Sequence, residues 1–431
     1  MAQKQIITIT SLSSTGEGVG SLEGMKIFVE GALPGETVSI QVTEQKKTYA
    51  KATVLSILTP SPDRQEPPCP VFGVCGGCQI MHLNYLAQLE LKRKRVVDAL
   101  ERIGHFDSPS VLPCLPSPLA YGYRNKIQLP LIWEKENKRV GLYRKNSHEI
   151  IPVKRCLIQC PQGEKILSFI SDRLNFSSVR YVLIRNAVFN EEALVIFITT
   201  GEDDLRPFAK ELMANESVVK GVVENINRRS DNSILTPHFR LLAGNFFIYE
   251  TLLNKRFKIS PSAFFQINPL QTEKLYEMAI ELAEIKPNEE VLDAFCGVGA
   301  LAILAAGQAK RAWGIECIQQ AIADAKENAT MNHLSNCFFT CGMAENLIKK
   351  YSNLATVFLN PPRKGCAPEL LAALTKKRPK KLIYISCDPA TLARDLAMLR
   401  DHYQPDFIQP FDMFPQTMHV ETVVRLIRMV D

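Results

Sequence analysis

The sequence predicts an α/β protein built on a doubly wound sheet with an antiparallel finish. Three observations carry this. From about Ile259 onward, β-branched runs alternate with stretches of helical spacing. The first such run, Val291–Ala294, leads directly into a glycine-rich turn and an apolar helical segment. Residues 1–60 carry a different pattern, of short β-branched runs between glycine turns. At 431 residues, the chain is long enough for two or three domains.

The elements follow in order. Ile6–Ile9, Met25–Val29, Val38–Val42 and Ala50–Ile57 read as strands, with turns at Thr15-Gly16-Glu17-Gly18 and Pro34-Gly35. Four or five short strands in residues 1–60 suggest an OB-like barrel, a common platform for RNA. Residues 61–258 form a central segment. It opens with a proline-rich linker (61–68) and a cysteine-dense stretch. Then comes a helix over Leu83–Ile103, stopped by Gly104, and mixed strands and helices follow. In residues 259–431 the strands are expected at Val291–Ala294, Ala312–Ile315, Cys337–Cys341, Thr356–Leu359 and Leu382–Ile385. Two more fall near Asp406–Gln409 and Glu421–Val430. Helices are expected at Ala300–Gly307, Ile318–Met331 and Pro368–Lys376.

Composition narrows the class. Hydrophobic content of 46% and charged content of 22% fit an ordinary globular protein and exclude a disordered one. A net charge of +6 permits an anionic partner. Two basic runs sharpen that hint: Lys92-Arg93-Lys94-Arg95, and Lys376 to Lys381. No signal core or membrane-length apolar run is visible, so a cytoplasmic location is expected. There, 12 cysteines point to metal, catalysis or burial rather than a disulfide framework.

Three groups of residues carry chemistry. The first is a cofactor site. Asp293 ends a strand ahead of Gly297-Val298-Gly299, and Glu316 ends the next strand with a carboxylate able to hold ribose hydroxyls. The second is a nucleophile. In Ser386-Cys387-Asp388-Pro389 a strand runs into a helix N-terminus, where a thiol is expected to have its pKa lowered. A thiolate beside a methyl donor suits addition to uracil carbon-6, which makes carbon-5 nucleophilic. A base must then remove the carbon-5 proton. Glu421, in His419-Val420-Glu421-Thr422, is the candidate, with His419 second. The loop Asn360-Pro361-Pro362-Arg363 forms a stiff wall at the sheet's rim. The third group is a cysteine cluster, Cys69, Cys75 and Cys78, with a fourth ligand at Cys156 or Cys160. Its uneven spacing leans toward a 4Fe–4S cluster over zinc.

Together these motifs resemble the RNA uracil-5-methyltransferase family, in particular the 23S rRNA branch with a TRAM domain and a 4Fe–4S cluster. The resemblance spans almost the whole chain. It implies a Rossmann-like, seven-stranded S-adenosylmethionine methyltransferase domain (259–431), an N-terminal OB-like TRAM barrel (1–60), and a central α+β iron–sulfur and RNA-binding domain (61–258). It implies Cys387 as nucleophile, Glu421 as base, and Cys156 as the fourth ligand beside Cys69, Cys75 and Cys78. The segment Phe264-Phe-Gln-Ile-Asn268 is similar to the family's Phe-x-Gln-x-Asn. S-adenosylmethionine contacts are then expected from Gln266, Asp293, Phe295, Gly297, Glu316 and Asn360. Tyr123-Arg124-Asn125-Lys126 resembles a segment near the RNA surface. The partner implied is RNA, 23S rRNA first and tRNA second; no membrane association is expected, and a monomer is. Two positions depart from the family: Asn360 stands where Asp is usual, and Ala300 where Asn is frequent. They motivate the competing reading, a non-catalytic RNA-binding or ribosome-assembly factor on a degenerate methyltransferase fold. Asn360-Pro361-Pro362 alone would motivate an amino-group methyltransferase.

Overall fold

The computed structural model describes residues 5–429 except 135, 136, 230 and 232. Strands β1 (Gln5–Leu12), β2 (Gly18–Leu22), β3 (Met25–Glu30), β4 (Thr37–Gln45) and β5 (Tyr49–Thr59) close a barrel in the order β1-β2-β3-β5-β4. Alternate residues point inward, among them Ile7, Ile9, Ile27, Val29 and Ile40. The sequence pattern shows no run for β2, because two of its positions are glycine. At Gly20 an added Cβ would stand 2.7 Å from the Thr8 carbonyl, so close packing of the barrel selects glycine inside a strand.

The linker leads to helix α1 (Tyr85–Arg102), capped by Asn84, whose side chain accepts from the Ala87 N–H at 2.9 Å. Helix α1 packs on the C-terminal sheet. Val96 and Leu100 share a core with Leu392, Leu396 and Tyr403.

The central sheet comprises β6 (Lys126–Glu134), β7 (Asn137–Tyr143), β8 (Ile150–Pro152), β9 (Val179–Ala187), β10 (Glu192–Thr199), β11 (Val219–Ile226) and β12 (Phe239–Gly244). Its order is β12-β11-β10-β9-β6-β7-β8. Helices α2 (Pro161–Arg173) and α3 (Arg206–Asn215) cover one face, with Ile166, Ile170, Phe208 and Leu212 in the core. Leu183, Leu194 and Ile196 face the other way, toward the hairpin β13 (Ile248–Leu252)–β14 (Lys255–Ile259).

The C-terminal domain alternates as its sequence pattern requires: α4 (Pro269–Ala283), β15 (Glu290–Asp293), α5 (Ala300–Ala306), β16 (Arg311–Glu316), α6 (Gln319–Met331), β17 (Cys337–Cys341), α7 (Ala344–Leu347), β18 (Leu354–Leu359), α8 (Pro368–Lys377), β19 (Lys381–Ser386), α9 (Pro389–Leu399), β20 (Tyr403–Phe411) and β21 (Glu421–Arg428). The sheet order is β17-β16-β15-β18-β19-β21-β20. The first five strands are parallel, and β21 inserts antiparallel between β19 and β20. The order in which successive strands are added reverses between the parallel neighbours β15 and β18, which opens a crevice at their carboxyl ends. Among the described residues no helix is long and apolar enough to cross a membrane.

Candidate active site

The crevice collects the residues expected to hold the cofactor. Asp293 ends β15 and is 2% exposed; burial, reinforced by Glu316, pushes its carboxyl up to about 7 against the bond from the Phe295 N–H. Glu316 ends β16. Its Oε2 accepts from the Gly297 N–H at 3.3 Å and its Oε1 from the Ile318 N–H at 2.9 Å, so the carboxylate is fixed at the turn. Gly297 has φ +52°, and no atom lies within 4 Å of where a Cβ would stand. The backbone is therefore open to close approach by a ligand. Gly299, at φ +90°, needs glycine for a different reason: a Cβ there would meet the Phe339 ring at 2.9 Å. Asn360 follows β18 at the same rim. Gln266 is buried ahead of α4 and hydrogen-bonds Tyr276. Its carbonyl accepts from Asn125, which ties the central sheet to this segment. Ala300 is the buried first residue of α5.

One strand further along the same rim lie Cys387 and Glu421. The register of the antiparallel pair β19–β21 sets Ser386 opposite Thr422. Cys387 follows β19 directly and Glu421 opens β21, so both lie just beyond that last pair, and the Glu421 charge acts on the thiol. Antiparallel insertion of β21 thus brings together two residues distant in sequence. Glu421 is 3% exposed, and burial pushes its carboxyl up to about 8, the Arg363 guanidinium pulling the other way. Cys387 is half-buried. Asp388 caps α9, its Oδ1 accepting from the N–H groups of Ala390 at 2.9 Å and Thr391 at 3.0 Å. The expectation of a lowered thiol pKa is overturned. Burial and the Glu421 carboxylate push the Cys387 thiol up to about 11, while Arg363 opposes them. The cap supplied by Asp388 is itself acidic, which works against the helix terminus.

Arg363, which the sequence reading placed only in the stiff loop at the sheet's rim, carries charge into the site. It sits on the loop after β18, and its Nη2 lies 3.3 Å from Nε2 of His419. Burial, then Arg363, Arg95 and Lys92, push the His419 imidazole down to about 4, so it is neutral at pH 7. The loop ahead of β21 is clamped by α1. Lys92 and Asp412 form a fully buried ion pair, and Gln88 and Gln416 exchange hydrogen bonds of 3.0–3.1 Å. The Tyr123 hydroxyl donates to the Pro415 carbonyl at 3.0 Å.

The cysteine cluster lies elsewhere. Cys69, Cys75, Cys78 and Cys156 line one cavity of about 420 Å³ together with Arg124, Lys126 and Arg155. Cys160 is buried at the start of α2 and is not part of that wall. Burial, with Cys156, Cys75 and Cys69 adding, pushes the Cys78 thiol up to about 12. Among the described residues no three His, Cys, Asp or Glu side chains converge closely enough for a single metal ion.

A seven-stranded sheet of this order, with two acids at successive strand ends and an open glycine turn, defines an S-adenosylmethionine-dependent methyltransferase domain. Comparison with known proteins agrees. Residues 2–55 match the TRAM domain and residues 248–429 the tRNA (Uracil-5-)-methyltransferase family. An uncharacterized RNA methyltransferase of Clostridium tetani is 39% identical, over 96% of this chain and 94% of its own. Another, from Halalkalibacterium halodurans, is 38% identical over 97% and 96%. The crystal structure of the Pyrococcus abyssi tRNA (uracil-54, C5)-methyltransferase, in complex with S-adenosyl-L-homocysteine, is 28% identical. It superposes with a TM-score of 0.76, over 99% of this chain and 100% of its own. The chain belongs to the S-adenosylmethionine-dependent RNA (uracil-5-)-methyltransferase family.

Proposed function

We propose that the protein forms 5-methyluridine in 23S rRNA, with Cys387 as nucleophile and Glu421 as base. The observation that supports this is the pairing of β19 with β21, whose last pair, Ser386 and Thr422, is followed by a half-buried thiol and a buried carboxyl close enough for the carboxylate to act on the thiol. The Cys387 sulfur, deprotonated, adds to uracil carbon-6, and electron density moves to carbon-5. S-adenosylmethionine, when bound, supplies the electrophilic methyl group. Gly297, Glu316, Asp293, Phe295, Gln266 and Asn360 would hold it. The fit rests on the open space above Gly297 and the carboxylate of Glu316 fixed beside it. Glu421 then takes the proton from carbon-5, the ring's double bond re-forms, and the sulfur leaves. A carboxyl with a pKa of about 8 is a stronger base than an exposed glutamate and is poised near working pH. Arg363 favours the anionic forms of both groups.

The cavity bounded by Cys69, Cys75, Cys78 and Cys156 is read as the seat of a 4Fe–4S cluster. Four thiols that line one cavity match the four-cysteine ligation of such a cluster. Arg124 and Arg155 in the wall, with no carboxylate among the lining residues, suit its negative charge. The barrel and the central sheet then serve RNA binding in the cytoplasm, by a monomer.

The test is to map 5-methyluridine across total RNA with and without the gene, and to incubate the protein with RNA containing 5-fluorouridine. A 23S site lost with the gene, and a covalent adduct at Cys387, are the expected results. A lost tRNA site would favour the second reading, which the Pyrococcus abyssi relative supports. No adduct with competent RNA and cofactor would sink the mechanism. Absence of S-adenosylmethionine binding by calorimetry would favour the non-catalytic reading that Asn360 and Ala300 motivate.

A further inference from the structure

The basic run on α1 does not act as one solvated face. Lys94 is exposed, 3.4 Å from Asp98. Arg93 donates to the Val111 carbonyl at 3.0 Å and pairs with Glu90. Lys92 is buried on Asp412. Arg95 precedes Val96, which packs with Leu392 of α9, and its charge is felt by Asp388 and His419, next to Cys387 and near Glu421 in sequence. The side chain is part-exposed, yet its Nη1 is closed off from water and has no hydrogen-bond partner. Among the described residues no carboxylate lies within 4.0 Å of it. Arg363 reaches the same imidazole and is likewise without a carboxylate at that distance.

Two guanidiniums therefore act on His419, two residues ahead of Glu421. The Oδ1 of Asp388, the acid whose charge acts on Arg95, is occupied in capping α9. A desolvated guanidinium without a counter-charge costs free energy, and an anion seated against its solvent-facing side offsets that cost. The ligand chemistry follows from the reaction. A uridine drawn out of its stack to meet Cys387 brings its own flanking phosphates to this rim. Guanidinium groups match phosphate oxygens in pairs.

We propose that Arg95, with Arg363 beside it, binds a phosphodiester flanking the target uridine and so seats the base over Cys387. This rests on the uridine methyltransferase reading. A chain that makes no 5-methyluridine fails that reading; a chain that makes it without needing Arg95 for RNA fails this inference alone.

The experiment uses the full-length protein and RNA bearing the mapped uridine, with binding measured across a salt series and KM separated from kcat. Arg95→Gln is expected to weaken affinity about tenfold or more, and to lower the slope of log affinity against log salt by about one. KM rises with kcat largely kept, and Arg95→Lys restores the slope. Lys94→Ala, exposed and about 100° further round the helix, leaves all three unchanged. An unchanged slope and KM in Arg95→Gln would overturn the proposal. So would a fall in kcat alone, which would mean that Arg95 acts on Asp388 or His419, or an equal loss in Lys94→Ala. A complementary measurement needs no variant. Neutral methylphosphonate linkages placed one at a time beside the target uridine should weaken wild-type binding at one linkage; tolerance of every substitution would also overturn it.

Discussion

Glutamate 421 offers the sharpest test of the reaction scheme. Its carboxyl is buried beside Cys387 and titrates near 8. Only the ionised form can take the carbon-5 proton. From that pKa, roughly 1% is ionised at pH 6 and roughly half at pH 8, so proton removal should accelerate about 50-fold across that range. The assay is single-turnover methyl transfer to RNA at saturating cofactor, with released product separated from covalent RNA–protein complex on a denaturing gel. Glu421→Gln removes the base without changing the side chain's shape. It should lower turnover by about 10²–10⁴-fold, and trap methylated RNA on Cys387, because addition and transfer proceed while elimination stalls. Near wild-type turnover in Glu421→Gln, or a release rate flat from pH 6 to pH 8, would refute the assignment.

Other outcomes follow from the same structure. Burial raises the folded-state pKa of Glu421 above its unfolded value, so the native state holds the proton that the unfolded state loses between about pH 4.5 and 8. Wild-type stability should therefore fall relative to Glu421→Gln as pH rises through that window; a constant gap in melting temperature would contradict the burial argument. Lys92→Met leaves Asp412 buried without a counter-charge and should cost about 3–5 kcal/mol in urea unfolding, with Lys92→Met/Asp412→Leu recovering much of it. Gly299→Ala, at φ +90° with its Cβ against Phe339, should cost at least about 1–2 kcal/mol and weaken S-adenosylmethionine binding measured by calorimetry. Serine at Cys69, Cys75, Cys78 or Cys156 should lower bound iron and sulfide in anaerobically purified protein, whereas Cys160→Ser should not; equal loss at Cys160 would redraw the ligand set.

Much of this was readable along the chain because it is local. Hydrophobic periodicity set the alternation of the C-terminal domain, since each strand and helix must bury its own face, and the strand ends at Asp293, Glu316 and Ser386 fall where the pattern breaks. The glycine turn and the Asp388-Pro389 helix start announce themselves by residue type. Strand β2 escaped because its glycines answer to a neighbouring strand's backbone rather than to a pattern of their own.

Tertiary structure alone decided the rest. Nothing in the residues around 421 says that β21 will insert between β19 and β20, yet that insertion makes Glu421 the neighbour of Cys387. The thiol's pKa reversed direction for the same reason: a helix terminus is a local property, whereas desolvation and a facing carboxylate arise only when distant strands pack. Cys156 joins Cys69, Cys75 and Cys78 around one cavity while Cys160 does not, and the basic run on α1 resolves into inward Lys92 and Arg95 and outward Lys94. Sequence specifies which groups are available and which element each rides on. Burial and charge at a site sum over segments brought together only by the fold.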